Sequence, residues 1–279
     1  MTNPLAALAG RRLTKGHGTA NDFLLLNDPD AEVDLSAAAI AALCDRRRGF
    51  GADGLIRVAR TEALARAGML DATPDPDQPQ WFMDYRNADG SPAQMCGNGI
   101  RVFVHYLRLQ GLIDLPEGAS IAIATRAGER TITRHAELYT VDMGRWQIPG
   151  GEEAIARGAD ALVTTAGLDQ PRAALNVDLG NPHTVVALAE EEELAAAQLA
   201  RIPLVQPAPP QGTNVEYVVP LGEEDVAGVT VGTVRMRVHE RGVGDTVSCG
   251  TGCCAAALAV RAWGGQDAPD VWRVLVPGG

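Results

Sequence analysis

Two apolar stretches of helical period stand out along this chain, and each begins immediately after a cysteine. The first runs from Ile100 through Phe103, Val104 and Leu107 and ends near Gly111; the second is Ala255-Ala256-Ala257-Leu258-Ala259-Val260. Between and before them, short runs of strand character recur. Leu24–Leu26, Leu55–Val58 and Trp81–Tyr85 precede the first helix, and residues 121–124, 131–133 and 138–143 follow it. Residues 175–179 and 184–188 flank Gly180-Asn181-Pro182-His183, and residues 215–219 and 232–239 alternate with period two before the second helix. Ser36 caps a predicted helix over Ala37–Cys44, and the acidic segment 190–201 predicts another. Residues 71–80 and 206–211 read as proline-rich loops, Asn87–Gly90 as a turn, and the alanine-rich stretch 151–167 as a surface insertion. Each half therefore reads as several strands followed by a helix that opens at a cysteine. The two cysteines lie more than half the chain apart, too far for a solenoid period, which points to a duplicated domain.

Composition narrows the classes. The chain has 279 residues, 46% of them apolar but only 4% aromatic, so aliphatic residues and alanine must build the core. A formal charge of −11 argues against a nucleic-acid or anionic-membrane partner. No run approaches the ~18 apolar residues of a membrane span, and residues 1–10 lack a signal-peptide pattern, so a cytoplasmic protein is expected. Five cysteines, two of them adjacent, do not suggest a disulfide framework.

The chemistry concentrates in Met95-Cys96-Gly97-Asn98-Gly99 and Ser248-Cys249-Gly250-Thr251-Gly252. A helix N-terminus exposes free backbone N–H groups and partial positive charge, which suit a carboxylate and favour a thiolate. Glycine beside the thiol lets a substrate approach the backbone. Cys253, Cys254 and Cys44 are expected to be packing residues. Cys249 and Cys253 lack the tight spacing of a zinc site. Gly49-Phe50-Gly51-Ala52-Asp53-Gly54 matches a dinucleotide fingerprint, but a helix precedes it and a strand follows, the reverse of what that fingerprint requires. Asparagines 21, 87, 181 and 214, each a turn residue when taken alone, together with Glu240-Arg241 supply groups that can read an ammonium and a carboxylate.

With these motifs in this order, from Lys15-Gly16-His17-Gly18 to Cys249-Gly250-Thr251-Gly252, the chain resembles the diaminopimelate epimerases nearly end to end. The resemblance implies an α/β (α+β) fold of two pseudo-symmetric domains, each a curled mixed sheet around a central helix, with the active site in the interdomain cleft. It implies domains over 1–141 and 142–267, with 268–279 returning to the first. It implies conversion of LL- to meso-diaminopimelate by Cys96 and Cys249 as an acid/base pair, without cofactor or metal, in a homodimer. Asn21, Asn87, Asn181, Asn214, Glu240 and Arg241 match substrate-binding residues, and Gly97-Asn98 and Gly250-Thr251 match backbone anion holders. His183 and Glu240 match residues that tune the cysteines. Two positions depart from the pattern. Gly54 stands where the family often has a glutamine, and Ala20 where it usually has glycine.

Epimerisation removes an α-proton from one face and returns one to the other, which suits two groups of one chemical type on opposite faces. A free thiol is only ~3% ionised at pH 7, and a helix terminus worth up to ~2 kcal/mol raises that to about half. Two thiolates in one site repel, so the reactive state has one thiolate and one thiol. A proline-racemase-like enzyme and a thiol- or metal-binding module are the alternative readings.

Overall fold

In the computed structural model the described residues are 4–70 and 77–279, so most of the expected 71–80 loop lies outside them. The chain divides into two compact units, Met1–Met143 and Gly144–Gly279.

The first unit is a seven-stranded sheet in sequential order. Strands β1 (Leu13–Gly18) and β2 (Asn21–Asn27) form a hairpin, and β2 runs parallel to β3 (Gly54–Arg60). β3 pairs antiparallel with β4 (Trp81–Asn87), and β4 runs parallel to β5 (Ser120–Thr125). β6 (Gly128–His135) and β7 (Leu138–Val141) complete it. The helix α3 (Gly97–Leu109) buries Ile100, Phe103, Val104 and Leu107 against Phe23, Leu25, Ile56 and Met83 of the sheet. That i, i+3, i+4, i+7 stripe is the one the sequence displays, and each such side chain contributes about 1.5–3 kcal/mol by burial. Helices α1 (Ala37–Cys44) and α2 (Thr61–Arg66) lie in separate apolar clusters with other strand residues. Ser36 caps α1 as expected, accepting from Ala39 N–H at 3.2 Å.

The hairpin turn of β1 and β2 is Thr19-Ala20, with φ of 50° and 59°, since Gly18 pairs with Asn21. Two left-handed residues in a two-residue loop are what a twisted hairpin demands, and glycine accepts that conformation without strain. Ala20 therefore carries a backbone cost that the family's usual glycine avoids. Ala20→Gly is expected to stabilise the protein by about 0.5–1 kcal/mol, read as a raised midpoint in urea unfolding.

The second unit repeats the scheme. β9 (Arg172–Asp178) and β10 (Pro182–Ala187) are antiparallel, and β10 runs parallel to β12 (Asn214–Val226). β12 pairs antiparallel with β13 (Val229–Glu240), and β13 runs parallel to β15 (Val271–Leu275). The helix α6 (Gly250–Gly264) lies between β13 and β15 in sequence, as α3 lies between β4 and β5. Its buried residues are Ala255, Ala256, Ala259 and Val260, small enough for close approach to the sheet. β8 (Ala161–Thr164) and β11 (Leu204–Gln206) extend one edge. On the other, β14 (Gly244–Thr246) pairs with Val238–Glu240 of β13, beyond the Val231–Arg235 segment held by β15.

Three expectations need correction. Residues 268–279 do not return to the first unit, because β15 adds to β13 as β5 adds to β4; the second sheet completes itself with its own strand. Residues 151–167 are not a surface insertion. They form α4 (Gly151–Arg157) and β8, and Ala154, Ala161 and Val163 are buried. The acidic helix is only α5 (Glu191–Ala196), ending where Ala197 turns extended.

Candidate active site

Each predicted cysteine is the N-cap of its central helix. Cys96 has extended φ/ψ of −142° and 116°, and Cys249 of −133° and 114°. Both are partly buried free thiols. Cys96 Sγ accepts from Gly99 N–H at 3.3 Å, and its thiol donates to Asn21 Oδ1 at 3.7 Å. Such an N–H bond supports negative charge on sulfur.

The surroundings of Cys96 are held by charged groups that the sequence reading passed over. Asp53 Oδ2 accepts from Asn21 Nδ2 at 2.6 Å and from Asp22 N–H at 3.0 Å. Arg46 bridges Asp22 and Asp53, each at 2.7 Å, and Lys15 reaches Asp22 at 3.1 Å. Burial works against ionisation of Asp22, but Arg46 and Lys15 prevail and hold its carboxyl well below the usual range. A carboxylate only accepts, so Asn21 must present its amide nitrogen to Asp53 and its carbonyl oxygen toward Cys96. Asn98 is fully buried, and its Oδ1 accepts from Thr19 Oγ1 at 3.0 Å and Arg101 Nη2 at 2.6 Å. Asn87 ends β4, paired in register with Gly54, and donates to Ser91 Oγ at 3.0 Å.

Around Cys249 the predicted residues also converge. Cys249 Sγ lies 3.5 Å from Thr251 Oγ1, which accepts from Asn181 Nδ2 at 3.3 Å. Asn214 Oδ1 accepts from Arg241 N–H at 2.9 Å, and its Nδ2 donates to Pro182 O at 3.3 Å. The Arg241 guanidinium donates to Gln211 O at 3.0 Å and remains solvent-exposed. Glu240 ends β13 beside it. His183 is buried, its Nδ1 2.7 Å from Oε1 of Glu216 on β12. Glu216 is a further residue that the sequence reading missed. A lone acid in the apolar run Val215-Glu216-Tyr217-Val218 was the available signal, since a buried charge requires a partner.

At Cys249 other groups oppose the thiolate that a helix terminus favours. Burial first, then the carboxylates of Glu240 and Glu216, push its thiol well above the usual range against the help of Thr251 and Gly252 N–H. Cys44, a buried packing residue, is pushed up to about 11 by burial. Cys253 and Cys254 pack at the margin of the second core.

The diaminopimelate epimerase family model matches residues 13–149 and 175–279. The diaminopimelate epimerase of Mycolicibacterium paratuberculosis is 46% identical over 280 residues, covering 96% of this chain and 88% of that protein. The chain belongs to the diaminopimelate epimerase family. The diaminopimelate epimerase of Rhodococcus opacus is likewise 46% identical, over 95% of this chain and 87% of its own. The fold extends to more distant proteins. A hydroxyproline epimerase from Agrobacterium vitis superposes with a TM-score of 0.53 at 14% identity, covering 92% of this chain and 78% of its own. A predicted epimerase from Pseudomonas aeruginosa gives 0.52 at 13% identity, over 91% and 83%. Within this epimerase fold the departure at Gly54 has a steric basis. A Cβ there would lie 2.3 Å from Arg86 O and 2.5 Å from the Tyr85 ring, so the position is closed to glutamine. Among the described residues no helix is long and apolar enough to cross a membrane.

Proposed function

We propose that this isomerase converts LL- to meso-diaminopimelate, in lysine and cell-wall precursor biosynthesis, by two-base chemistry at Cys96 and Cys249. The observation that carries the reading is the repeated seat of the two thiols. Each caps the central helix of an equivalent sheet, beside a Gly-x-Gly that leaves first-turn N–H groups reachable. One thiol serves each face of the α-carbon. Burial and two neighbouring carboxylates push the Cys249 thiol up, and Cys96 Sγ accepts from Gly99 N–H, so the thiolate that takes the LL proton is assigned to Cys96. The reverse reaction exchanges the roles.

The polar residues divide by chemistry. Asn21, with its nitrogen taken by Asp53, offers an oxygen suited to the substrate ammonium. The N–H groups of Gly97-Asn98 and Gly250-Thr251 suit carboxylate oxygens, and Asn87, Asn181, Asn214 and Glu240-Arg241 supply the remaining ionic contacts. His183 and Glu240 set the protonation of the thiol beside them. No cofactor enters the chemistry. The family resemblance also supports a cytoplasmic homodimer, for which size-exclusion mass gives the check.

The deciding experiment is α-carbon exchange in heavy water. LL-diaminopimelate is expected to acquire deuterium as meso product accumulates, while proline is left unlabelled. Labelling of proline alone would overturn the assignment in favour of a proline-racemase-like enzyme.

A further inference from the structure

The two half-sites share one backbone plan but differ in what lies beneath the cysteine. The first ladder pair between β2 and β3 is Phe23 with Gly54; the first between β10 and β12 is His183 with Asn214. Counting along each register, Phe23 corresponds to His183, and Ile56 to Glu216. The helix side confirms the match. A Cβ on Gly99 would sit 3.4 Å from Ile56 Cδ1 and 3.5 Å from Cys96 Sγ. A Cβ on Gly252 would sit 2.7 Å from Glu216 Oε1 and 3.3 Å from Cys249 Sγ. Where the first unit has a buried hydrocarbon pair, the second has a buried ionisable one. His183 is 1% exposed and Glu216 0%. Their second polar atoms, His183 Nε2 and Glu216 Oε2, are buried without hydrogen-bond partners among the described residues.

A fold that tolerates Phe and Ile at these places has no structural need of a histidine and a carboxylate. Burying the pair forfeits hydration that an apolar pair would not lose, so its presence requires a return in function. We propose that Glu216 is a positioning residue of the second half-site, acting through His183 and the first turn of α6 to hold Cys249 as a thiol and so make the two cysteines unequal. This rests on the functional reading above and deepens it, giving one of the two carboxylates beside Cys249 a role through its buried partner His183.

In this role Glu216 must accept the Nδ1 proton of His183 across their 2.7 Å contact, and Nε2 must carry none. The buried negative charge opposes formation of a second one on Cys249. Two carboxylates act on that sulfur, Glu216 from β12 and Glu240 from β13, with Cys253 one helical turn further in and His183 of β10 against Glu216. Only Glu216 is both fully buried and in contact with His183. Cys96 has no counterpart beneath it, so the two thiols are expected to respond differently to one substitution.

Glu216→Gln preserves shape and removes the charge. The reading is alkylation of the full chain by iodoacetamide across a pH series, with Cys96 and Cys249 resolved by peptide mass spectrometry. Cys249 is expected to react about threefold to tenfold faster at neutral pH, with Cys96 unchanged, because the thiolate fraction rises tenfold per unit of pKa. Glu216→Asp, which keeps the charge, is expected to restore the slow Cys249 rate. In the pH profile of epimerisation, the limb assigned to Cys249 should move to lower pH in Glu216→Gln with KM little altered. Unchanged Cys249 reactivity in folded Glu216→Gln overturns the proposal. Should that variant not fold, nitrogen-15 NMR of the unsubstituted protein decides. A neutral His183 protonated at Nδ1 is expected, and protonation at Nε2 instead would overturn it. Alkylation and tautomer need no diaminopimelate, so they separate this inference from the functional one.

Discussion

Cys96→Ala and Cys249→Ala are each expected to lower epimerisation by at least about 10²–10⁴-fold, the range general acid–base groups contribute, while leaving the fold intact. Neither thiol is a principal packing group. Both are partly buried at helix N-caps, and the cores beneath rest on Phe103, Val104 and Leu107 in one unit and on Ala255, Ala256 and Ala259 in the other. Loss of an N-cap costs about 1 kcal/mol, detectable but tolerable in a chain of this size. The informative measurement is deuterium exchange on both stereoisomers. With a single acid/base group left, a variant can exchange the proton on that group's own face but cannot both deprotonate one face and reprotonate the other, so net inversion should vanish in both directions. An alanine variant at either position that retains wild-type inversion would exclude the two-base mechanism.

The second large effect concerns stability. Gly54→Gln introduces the residue that the family often carries at this place, and it is expected to destabilise the protein by about 3 kcal/mol or more. Gly54 opens β3 with neighbours on both sides, Phe23 of β2 and Asn87 of β4. Its virtual Cβ meets a backbone carbonyl at 2.3 Å, which cannot move without breaking the β3–β4 ladder, and the Tyr85 ring at 2.5 Å. Tyr85 is itself fixed by an edge-on contact with Phe23, ring centroids 5.6 Å apart. Gly54→Ala carries the same clash and should lose similar stability in urea unfolding, which places the cause in the Cβ rather than in glutamine chemistry. A Gly54→Gln protein with the unsubstituted midpoint would show that this strand start shifts more freely than its packing suggests.

The parts legible in the sequence were those written in local pattern. Cys-Gly-x-Gly followed by an apolar stripe specifies a capped, buried helix through contacts within one or two turns, and both helices lie where the stripes begin. The strands leading into them, rich in Leu, Ile and Val, were equally plain. What escaped depends on partners distant in sequence. β8 hides in an alanine-rich stretch because alanine has little strand preference; its place is set by the ladder to β9. The alternation Val271-Trp272-Arg273-Val274-Leu275 announces a strand but not a partner, and pairing with β13 follows only once α6 is folded between them. Asp53 and Glu216 are each a single acid in the sequence. Their importance arises from Asn21 and His183, which the fold brings to them from 32 and 33 positions away. Pseudo-symmetry was visible in the cysteine motifs, whereas its breakdown at Phe23/Ile56 and His183/Glu216 needed the ladder registers.

The edge of β13 is shared, Val231–Arg235 belonging to β15 and Val238–Glu240 to β14. A rim assembled from two unconnected pieces can fray in instalments. Opening β14 and the loop leading from it to Ser248 breaks three residue pairings, the Arg237–Asp245 ion pair and the bond from Gly278 N–H to Val247 O, and leaves the five pairings of β15 with β13 in place.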